Sequence, residues 1–328
     1  MSLCLFHEKV YYILRHNKLY RRLLPHKTFG MMQEETHVVA GKIFKKRFDK
    51  RAMSPAVSTV ILTGSIVTIL GVALVFANDF LQSKTAESEF SSAKQFMRTV
   101  GLQIDDVAWM VGRTETIRYS NKYGEVVVEP STLNYTVYVK TVGSSTYEFF
   151  ASYEVGVILF NVPTSRYSVT NGYWEPISPS HNDALTLKGT SAPVVRVFAV
   201  EKMPMYDGSY IRVVVAPAIR TLFSTINTSS SSTYYVKLYL PVPTLGEAPR
   251  LSQSITLTGK SFKANTISSV TSVNVTVSFP RGSSPENFDN FFFNFPSLSE
   301  VIDVPPGYSD TLLEFYASEV TVEFGINY

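Results

Sequence analysis

Two adjacent segments decide how this chain is organised: KKRFDKRA at residues 45–52 and MSPAVSTVILTGSIVTILGVALVFAN at residues 53–78. The first segment is strongly basic, and the second contains no side chain that is charged at neutral pH. A helix rises about 1.5 Å per residue, and the hydrocarbon core of a bilayer is about 30 Å thick. The second segment is therefore long and apolar enough to cross a membrane as one helix.

Charge is divided unevenly about this segment. Residues 1–52 contain 12 Lys and Arg against 4 Asp and Glu, a balance of +8, whereas residues 53–328 contain 18 against 23, a balance of −5. The positive-inside rule predicts a single-pass protein of the cell membrane with a cytoplasmic N-terminus and an extracellular C-terminal region. Because the two regions have opposite signs, the net charge of +3 gives no reason to expect a nucleic-acid partner.

The region after the span must be stabilised by a hydrophobic core, because Cys4 is the only cysteine and precedes the span. Such a core is feasible in a region of this length, since 45% of the chain is hydrophobic and 13% is aromatic. Asn134, Asn227 and Asn274 each begin an Asn-x-Ser/Thr triplet on the predicted extracellular side. Each is a candidate site of N-glycosylation.

A second helical signal follows the span. Apolar residues recur there at alternating spacings of three and four, which places them on one helical face. They are Phe90, Ala93, Met97, Val100, Ile104, Val107 and Val111. No proline occurs between Pro55 and Pro130, so we predict one helix from about Ser54 to Val111, capped by Gly112. The apolar stripe either docks on the following domain or packs against helices of other subunits, and the two uses can coexist.

Beyond Gly112 the sequence favours β-structure, with runs rich in Val, Ile, Tyr and Thr separated by Gly, Pro and Ser. The strand candidates are residues 115–120, 125–129, 135–142, 147–160, 194–201, 210–216, 234–240, 252–258, 272–279 and 318–326. Residues 121–124 (Asn-Lys-Tyr-Gly) predict a hairpin turn between the first two. Residues 222–229 and 310–317 are each predicted to hold at most a helical turn or two.

The predicted fold class is α+β, with a long N-terminal membrane-spanning helix followed by a β-sandwich-like, mainly antiparallel β domain. Three regions result: a basic cytoplasmic leader at 1–52, a transmembrane and amphipathic helix at 53–112, and an extracellular β-rich domain at 113–328. The β-rich region is either one large sandwich or two small ones in tandem with a boundary near residues 241–243.

Residues that could carry catalysis are scarce. His181 is the only histidine after the span, and no cysteine, histidine or acidic cluster has the spacing of metal ligands. Asp105 and Asp106 point about 100° apart on the predicted helix, so we expect them on its solvated side. We therefore expect no enzymatic activity, no cofactor and no metal.

Two further groups of residues have more than one interpretation. Glu286, Asp289 and Asp303 could brace a loop around calcium, although their spacing matches no calcium-loop motif. The densest aromatic cluster is NFDNFFFNFP at residues 287–296. Its five phenylalanines either fill the core between strands or form an exposed patch that contacts another subunit or a surface ligand.

The basic segment ending in Arg-Ala, the Ser-Pro start, the unbroken apolar run, the amphipathic extension and the β-rich domain together resemble an archaeal type IV pilin precursor with a class III signal peptide. In that family a membrane prepilin peptidase cleaves the leader on the cytoplasmic side of the apolar segment. The resemblance implies recognition of Lys50, Arg51 and Ala52, with Met53 as the new N-terminus. Val57 stands where bacterial members carry a glutamate that archaeal members commonly lack.

The presumed leader of 52 residues is longer than is usual in that family. A start at Met31 or Met32 would shorten it, whereas residues 10–24 could alternatively form a cytoplasmic amphipathic helix on anionic lipid.

The resemblance implies a structural subunit of an extracellular type IV pilus-like filament, in a minor or adhesive role. Its partners would be the membrane, copies of itself or other pilin subunits, the prepilin peptidase and the pilus assembly machinery. Gly64 and Gly71 are seven residues apart, lie nearly on one helical face, and would let neighbouring helices approach closely. The alternative is a single-span surface protein that binds or adheres and does not polymerise.

Overall fold

The computed structural model describes residues 55–120, 122–229, 231–246 and 253–325. The processing residues Lys50 to Met53 and the segment at 10–24 lie outside the described residues, so the predictions made for them stay predictions. By its internal contacts the chain forms two units, Met1–Val72 and Ala73–Tyr328.

Helix α1 runs from Pro55 to Ala108. Pro55 is its first residue, where the missing N–H of proline costs nothing because the first helical N–H groups have no partner within the helix. The most apolar part of the helix has a mean hydropathy of 2.5 and is entirely exposed, and its length and composition suffice to span a membrane. The prediction of one long apolar helix is therefore confirmed.

The helix ends three residues earlier than Val111, because the chain turns there to enter the sheet. Met110 donates its backbone N–H to the carbonyl of Val107 at 3.2 Å, and Gly112 donates to the carbonyl of Gly259 at 2.7 Å. Gly112 has a φ of +81°, a conformation that glycine adopts readily. Gly259 is also required here, since a Cβ at this position would lie 2.2 Å from the Val107 carbonyl oxygen.

The described residues after α1 form 13 strands and one short helix. The strands are β1 Thr114–Arg118, β2 Glu125–Thr141, β3 Glu148–Pro163, β4 Tyr173–Ser178, β5 Leu187–Lys188, β6 Val195–Glu201, β7 Tyr210–Pro217, β8 Arg220–Asn227, β9 Ser232–Leu245, β10 Ser254–Ser268, β11 Val270–Ser278, β12 Ser299–Asp303 and β13 Asp310–Phe324. Helix α2 is Asn290–Phe293, with Asp289 as its N-cap.

These strands form two sheets. Sheet A has six strands in the order β1-β10-β13-β9-β8-β5, and sheet B has seven in the order β12-β11-β2-β3-β7-β6-β4. Neighbouring strands are antiparallel except for two parallel pairs, β9 with β13 and β5 with β8. The domain is thus mostly antiparallel, and the chain as a whole is broadly α+β.

Two hydrophobic clusters hold the domain together. The first joins the sheets to each other, for example through Val137 and Val275 of sheet B with Leu238 and Phe315 of sheet A. The second joins the C-terminal half of α1 to both sheets, chiefly to β3, β6 and β7 of sheet B and to β10 and β13 of sheet A. Helix α1 therefore contributes one of its halves to the core of the β-rich domain.

Several local predictions were wrong because the pairing partners are distant in sequence. The predicted hairpin at 121–124 does not exist: β1 pairs with β10, whereas β2 pairs with β3 and β11 in the other sheet. The predicted helical turns at 222–229 and 310–317 lie in strands β8 and β13. Three further strands were missed, namely β4, β5 and β12.

The proposed boundary near residues 241–243 falls inside strand β9. Pro241 and Pro243 lie in register with Ser318 and Val320 of β13. The strand therefore continues through this proline pair, and the β-rich domain is one unit from Ala73 onward.

Candidate functional site: the two halves of the long helix

The N-terminal half of α1 presents apolar side chains that no described residue covers. Every residue from Ala56 to Leu81 is exposed, and Val60, Leu74 and Phe76 each expose about 70% of their surface (69%, 70% and 71%). Each large apolar side chain left in water forgoes about 1.5–3 kcal/mol of burial free energy. A helix that exposes so many of them is therefore unfavourable in water. This half of the helix needs an apolar environment supplied by lipid or by other helices.

Four hydroxyl groups in this half are satisfied within the helix itself. The hydroxyl groups of Thr59, Thr63, Ser65 and Thr68 each donate to a backbone carbonyl one turn earlier, at 2.8–3.0 Å. Bonds of this kind are needed in hydrocarbon, where water cannot satisfy a hydroxyl group. These four hydroxyl groups therefore require no polar partner outside the helix when the segment lies in a membrane.

Gly64 and Gly71 lie within this exposed half. A Cβ added at either position would meet no atom within 4 Å. The flat strip that they create is open among the described residues, and it could receive the backbone of another helix. Whether a helix packs there remains a prediction.

The C-terminal half of α1 has the opposite character. Six of the seven residues predicted to share one face are at most 3% exposed, namely Phe90, Ala93, Met97, Val100, Ile104 and Val107. They pack in the second hydrophobic cluster, against the sheets of the same chain. The docking interpretation is confirmed, and this stripe is not available for a coiled coil or another subunit.

Val111 does not belong to the stripe, because the helix has already ended and its side chain is 61% exposed. Gly101 also lies on the buried face, although the spacing of the apolar residues did not identify it. A Cβ there would lie 2.9 Å from Val195 Cγ2 and 3.0 Å from Val197 Cγ2. The glycine therefore allows α1 to approach β6 closely, a role that its position in the sequence alone does not reveal.

Polar contacts at separate points fix the buried half to the domain. The carboxylate of Glu89, which is almost fully buried, accepts hydrogen bonds from the backbone N–H groups of Lys122, Tyr123 and Gly124 at 2.8–3.1 Å. One turn later, Lys94 pairs with Glu175 of β4. Burial would raise the pKa of Glu175, but hydrogen bonds from Lys94 and Tyr173 outweigh burial and hold that pKa below its ordinary value.

Asp105 is a third such contact and corrects the expectation that both adjacent aspartates are solvated. Its carboxylate accepts from Trp109 Nε1 at 2.9 Å and pairs with Arg220 at 3.0 Å. Asp106 is exposed, as predicted. The partner Arg220 lies on β8, far along the chain, so the sequence around Asp105 gives no sign of this ion pair.

Charged residues elsewhere in the domain also have structural partners. Arg281 lies between the carboxylates of Glu129 and Glu286, at 2.6 and 2.9 Å. Tyr206 donates to the same Glu129, and burial together with this hydrogen bond raises the pKa of Tyr206 to about 12. The fully buried Arg212 pairs with Asp207. These groups brace loops and strands by charge-assisted hydrogen bonds.

The residues considered for metal binding are not brought together. Glu286 pairs with Arg281, Asp289 pairs with Lys202 and caps α2, and Asp303 accepts from Ser272. Within the part of the chain that the structure describes, no group of three His, Cys, Asp or Glu side chains could hold a metal ion. His181 is exposed.

A cavity of about 680 Å³ lies between α1 and the segment that follows β1. Neither histidine nor cysteine lines it, and its one lining carboxylate is that of Glu89, which already accepts three backbone hydrogen bonds.

The aromatic cluster at 287–296 mostly fills the core. Phe288, Phe292, Phe293 and Phe295 are at most 4% exposed and pack between the sheets. Phe291 alone is exposed, at 61%, with the ammonium group of Lys202 at 5.5 Å from its ring centroid. The core interpretation is confirmed for four of the five phenylalanines.

The three candidate glycosylation sites differ in accessibility. Asn227 is exposed at the end of β8. Asn134 and Asn274 are half-buried within strands, where their side-chain oxygens accept from Ser152 and Ser299 at 2.8 and 2.7 Å. Asn227 is the most accessible of the three.

No family model matches this chain, and comparison with curated proteins and with solved structures likewise found no match.

Proposed function

We propose that this protein is a structural subunit of an extracellular type IV pilus-like filament, in a minor or adhesive role. The observation that carries the proposal is the division of α1 into two halves. Its N-terminal half is apolar and uncovered, and its C-terminal half belongs to the core of a sandwich-like β domain. A filament subunit needs both properties in one helix, because the first half packs with other subunits and the second half carries the domain.

The same exposed surface can serve the protein before and after assembly. In the precursor it lies in lipid, with the basic segment at 45–52 in the cytoplasm and the β domain outside the cell. In the filament it packs against the equivalent helices of neighbouring subunits, where Gly64 and Gly71 allow close approach. Prepilin peptidase and the pilus assembly machinery are the partners that this route requires.

A second candidate function is a single-span anchor for a surface binding or adhesion domain. The observation that favours it is that the hydroxyl groups of Thr59, Thr63, Ser65 and Thr68 all donate to backbone carbonyls within the helix. A helix of this kind is stable in lipid without another helix beside it.

The N-terminus of the mature protein decides between the two. Protein recovered from the cell surface should begin at Met53, or within a residue or two of it, because processing must free the apolar helix from its basic leader before assembly. Terminal sequencing or intact-mass measurement gives the answer directly. A mature chain that retains Met1, Met31 or Met32 would contradict the filament proposal and favour the anchor.

A further inference from the structure

The cavity between α1 and the segment after β1 carries an excess of positive charge. Its described lining includes three cationic side chains, Lys84, Arg118 and Lys122, and a single carboxylate, that of Glu89. The Glu89 carboxylate already accepts hydrogen bonds from three backbone N–H groups at residues 122–124. The lining therefore has two more positive charges than negative ones, which favours an anionic ligand.

The three cationic side chains are available to such a ligand. Arg118 is exposed, and no described group accepts a hydrogen bond from its guanidinium. Lys122 is also exposed, and its ammonium group lies 5.1 Å from the ring centroid of Tyr123 without an ion pair in the described part of the chain. Lys84 pairs with Glu87 at 2.7 Å, but both side chains are about half exposed (58% and 47%). Exposed pairs of this kind are weak and exchange readily.

An apolar strip on α1 leads into this cavity. Leu74 and Leu81 are seven residues apart, so they lie nearly on one helical face, and they are 70% and 62% exposed. Leu81 lines the cavity, and the same face continues inside it with Thr85 and Ser88. A free inorganic anion would leave the strip uncovered. A ligand with an anionic head and a hydrocarbon tail would cover the strip and fill the cavity together.

The mouth of the cavity lies at the depth of lipid headgroups when α1 crosses a bilayer. Asp79 is the first charged residue after the apolar segment, and Lys84 follows it by about 8 Å along the helix axis. The headgroup layer on each side of the hydrocarbon core is about 5–8 Å thick. Basic and aromatic side chains are enriched at this depth. Tyr123 is flanked accordingly by the charged groups of Lys122 and Arg166, at 5.1 and 5.2 Å from its ring centroid.

We infer that this cavity binds the headgroup of an anionic phospholipid from the membrane that α1 crosses. The phosphate oxygens accept charge-assisted hydrogen bonds from Lys84, Arg118 and Lys122, and an acyl chain lies against Leu74 and Leu81. A volume of about 680 Å³ is in the range of small-molecule sites, about 300–1,000 Å³, so the cavity admits a headgroup larger than phosphate alone. The inference applies to an anchor and to a filament precursor alike, because both cross the bilayer.

Lipid binding is tested by native mass spectrometry of the full-length chain in a neutral detergent. The probe is phosphatidylglycerol, and phosphatidylcholine, which has no net charge, is the reference lipid. The wild type should bind one phosphatidylglycerol in preference to phosphatidylcholine and should retain it when inorganic phosphate is added. Arg118→Gln combined with Lys122→Gln should weaken phosphatidylglycerol binding at least about tenfold, because it removes two charge-assisted hydrogen bonds. The melting temperature should not change, since both side chains are exposed.

Arg98→Gln combined with Lys263→Gln is the matched control, because it also removes one arginine and one lysine, both exposed and outside the cavity lining. Its affinity for phosphatidylglycerol should equal that of the wild type. Equal weakening in the two double variants would overturn the inference, since net charge would then attract the lipid. Wild-type binding by the Arg118→Gln, Lys122→Gln variant, or equal affinity of the wild type for the two lipids, would also overturn it. Displacement of the lipid by inorganic phosphate would overturn it as well, because free phosphate would then be the ligand.

Discussion

Glu300 illustrates, at the scale of single residues, how charges brace this domain. Its carboxylate accepts from both the backbone N–H and the hydroxyl group of Thr186, and it pairs with Lys188 at 2.8 Å. Burial would raise the pKa of Glu300, but the hydrogen bonds from Lys188 and Thr186 outweigh burial and hold that pKa below its ordinary value of 4.5. The ionised form is therefore the one that the folded domain favours.

Glu300→Gln should lower the free energy of unfolding by about 1 kcal/mol at neutral pH. Because the pKa is lower in the folded state than in the unfolded state, the stabilisation is complete above about pH 4.5 and is lost as the pH falls through the folded-state pKa. The difference in melting temperature between wild type and variant should therefore shrink on acidification. The exposed Glu154→Gln serves as the control, and a difference for Glu300→Gln that stays constant down to strong acid would contradict this account.

At this scale, the sequence predicted burial correctly where it follows from the spacing of apolar residues. It failed where the position of a side chain depends on a partner distant in sequence. The buried positions from Phe90 to Val107 follow from their spacing alone. Asp105 was misassigned because Arg220, its partner, joins it only in the folded chain. Val111 continued the periodic pattern beyond the point where the contact of Gly112 with Gly259 ends the helix.

At the scale of the secondary-structure elements, the docked half of α1 is the part most sensitive to substitution. Val100 is fully buried against the sheets, whereas its neighbour Thr99 is exposed. Val100→Asp should lower the free energy of unfolding by about 3 kcal/mol or more, because it buries an unpaired charge. Thr99→Asp adds the same charge to an exposed position and should have little effect.

Thermal unfolding of the full-length chain in detergent, followed by the circular dichroism of the β domain, provides the measurement. Equal melting temperatures for Val100→Asp and Thr99→Asp would show that the stripe does not support the domain.

The positions of strands were easier to predict than their partners. Residues 194–201 and 210–216 were placed within a residue of β6 and β7, since both are rich in β-branched and aromatic residues. The hairpin at 121–124 was wrong because a turn sequence indicates only that the chain reverses, and β1 continues into a different sheet from β2. Strand β8 was mistaken for helical turns because its sequence, RTLFSTIN, does not alternate regularly between apolar and polar residues.

At the scale of the whole molecule, the exposed half of α1 should distinguish a filament subunit from an anchor. Gly64→Leu combined with Gly71→Leu fills the flat strip on one face of the helix. In lipid this change is harmless, but in a fibre it separates helices that must approach closely. We expect the variant to insert and display its β domain normally but to lose the filaments seen by negative-stain microscopy.

Ala73→Leu with Ala77→Leu is the matched control, because these residues lie on roughly the opposite helical face and both changes also add bulk. Filaments should persist in it. Normal polymerisation of the Gly64→Leu, Gly71→Leu variant would contradict the packing mechanism. A wild type that forms no filaments in cells with the assembly machinery would favour the anchor.

The central position of β13 in sheet A has a consequence for how the domain is made. Residues 310–324 lie between β9 and β10, and β9 pairs with them in parallel. Because the chain is synthesised from its N-terminus, β9 and β10 are complete before β13, the strand that lies between them, has been made. Long-range pairing of this kind is slow and leaves strand edges open meanwhile. Completion of sheet A must wait until residues 310–324 have been synthesised, and a chain that stops before Asp310 would leave β9 and β10 apart.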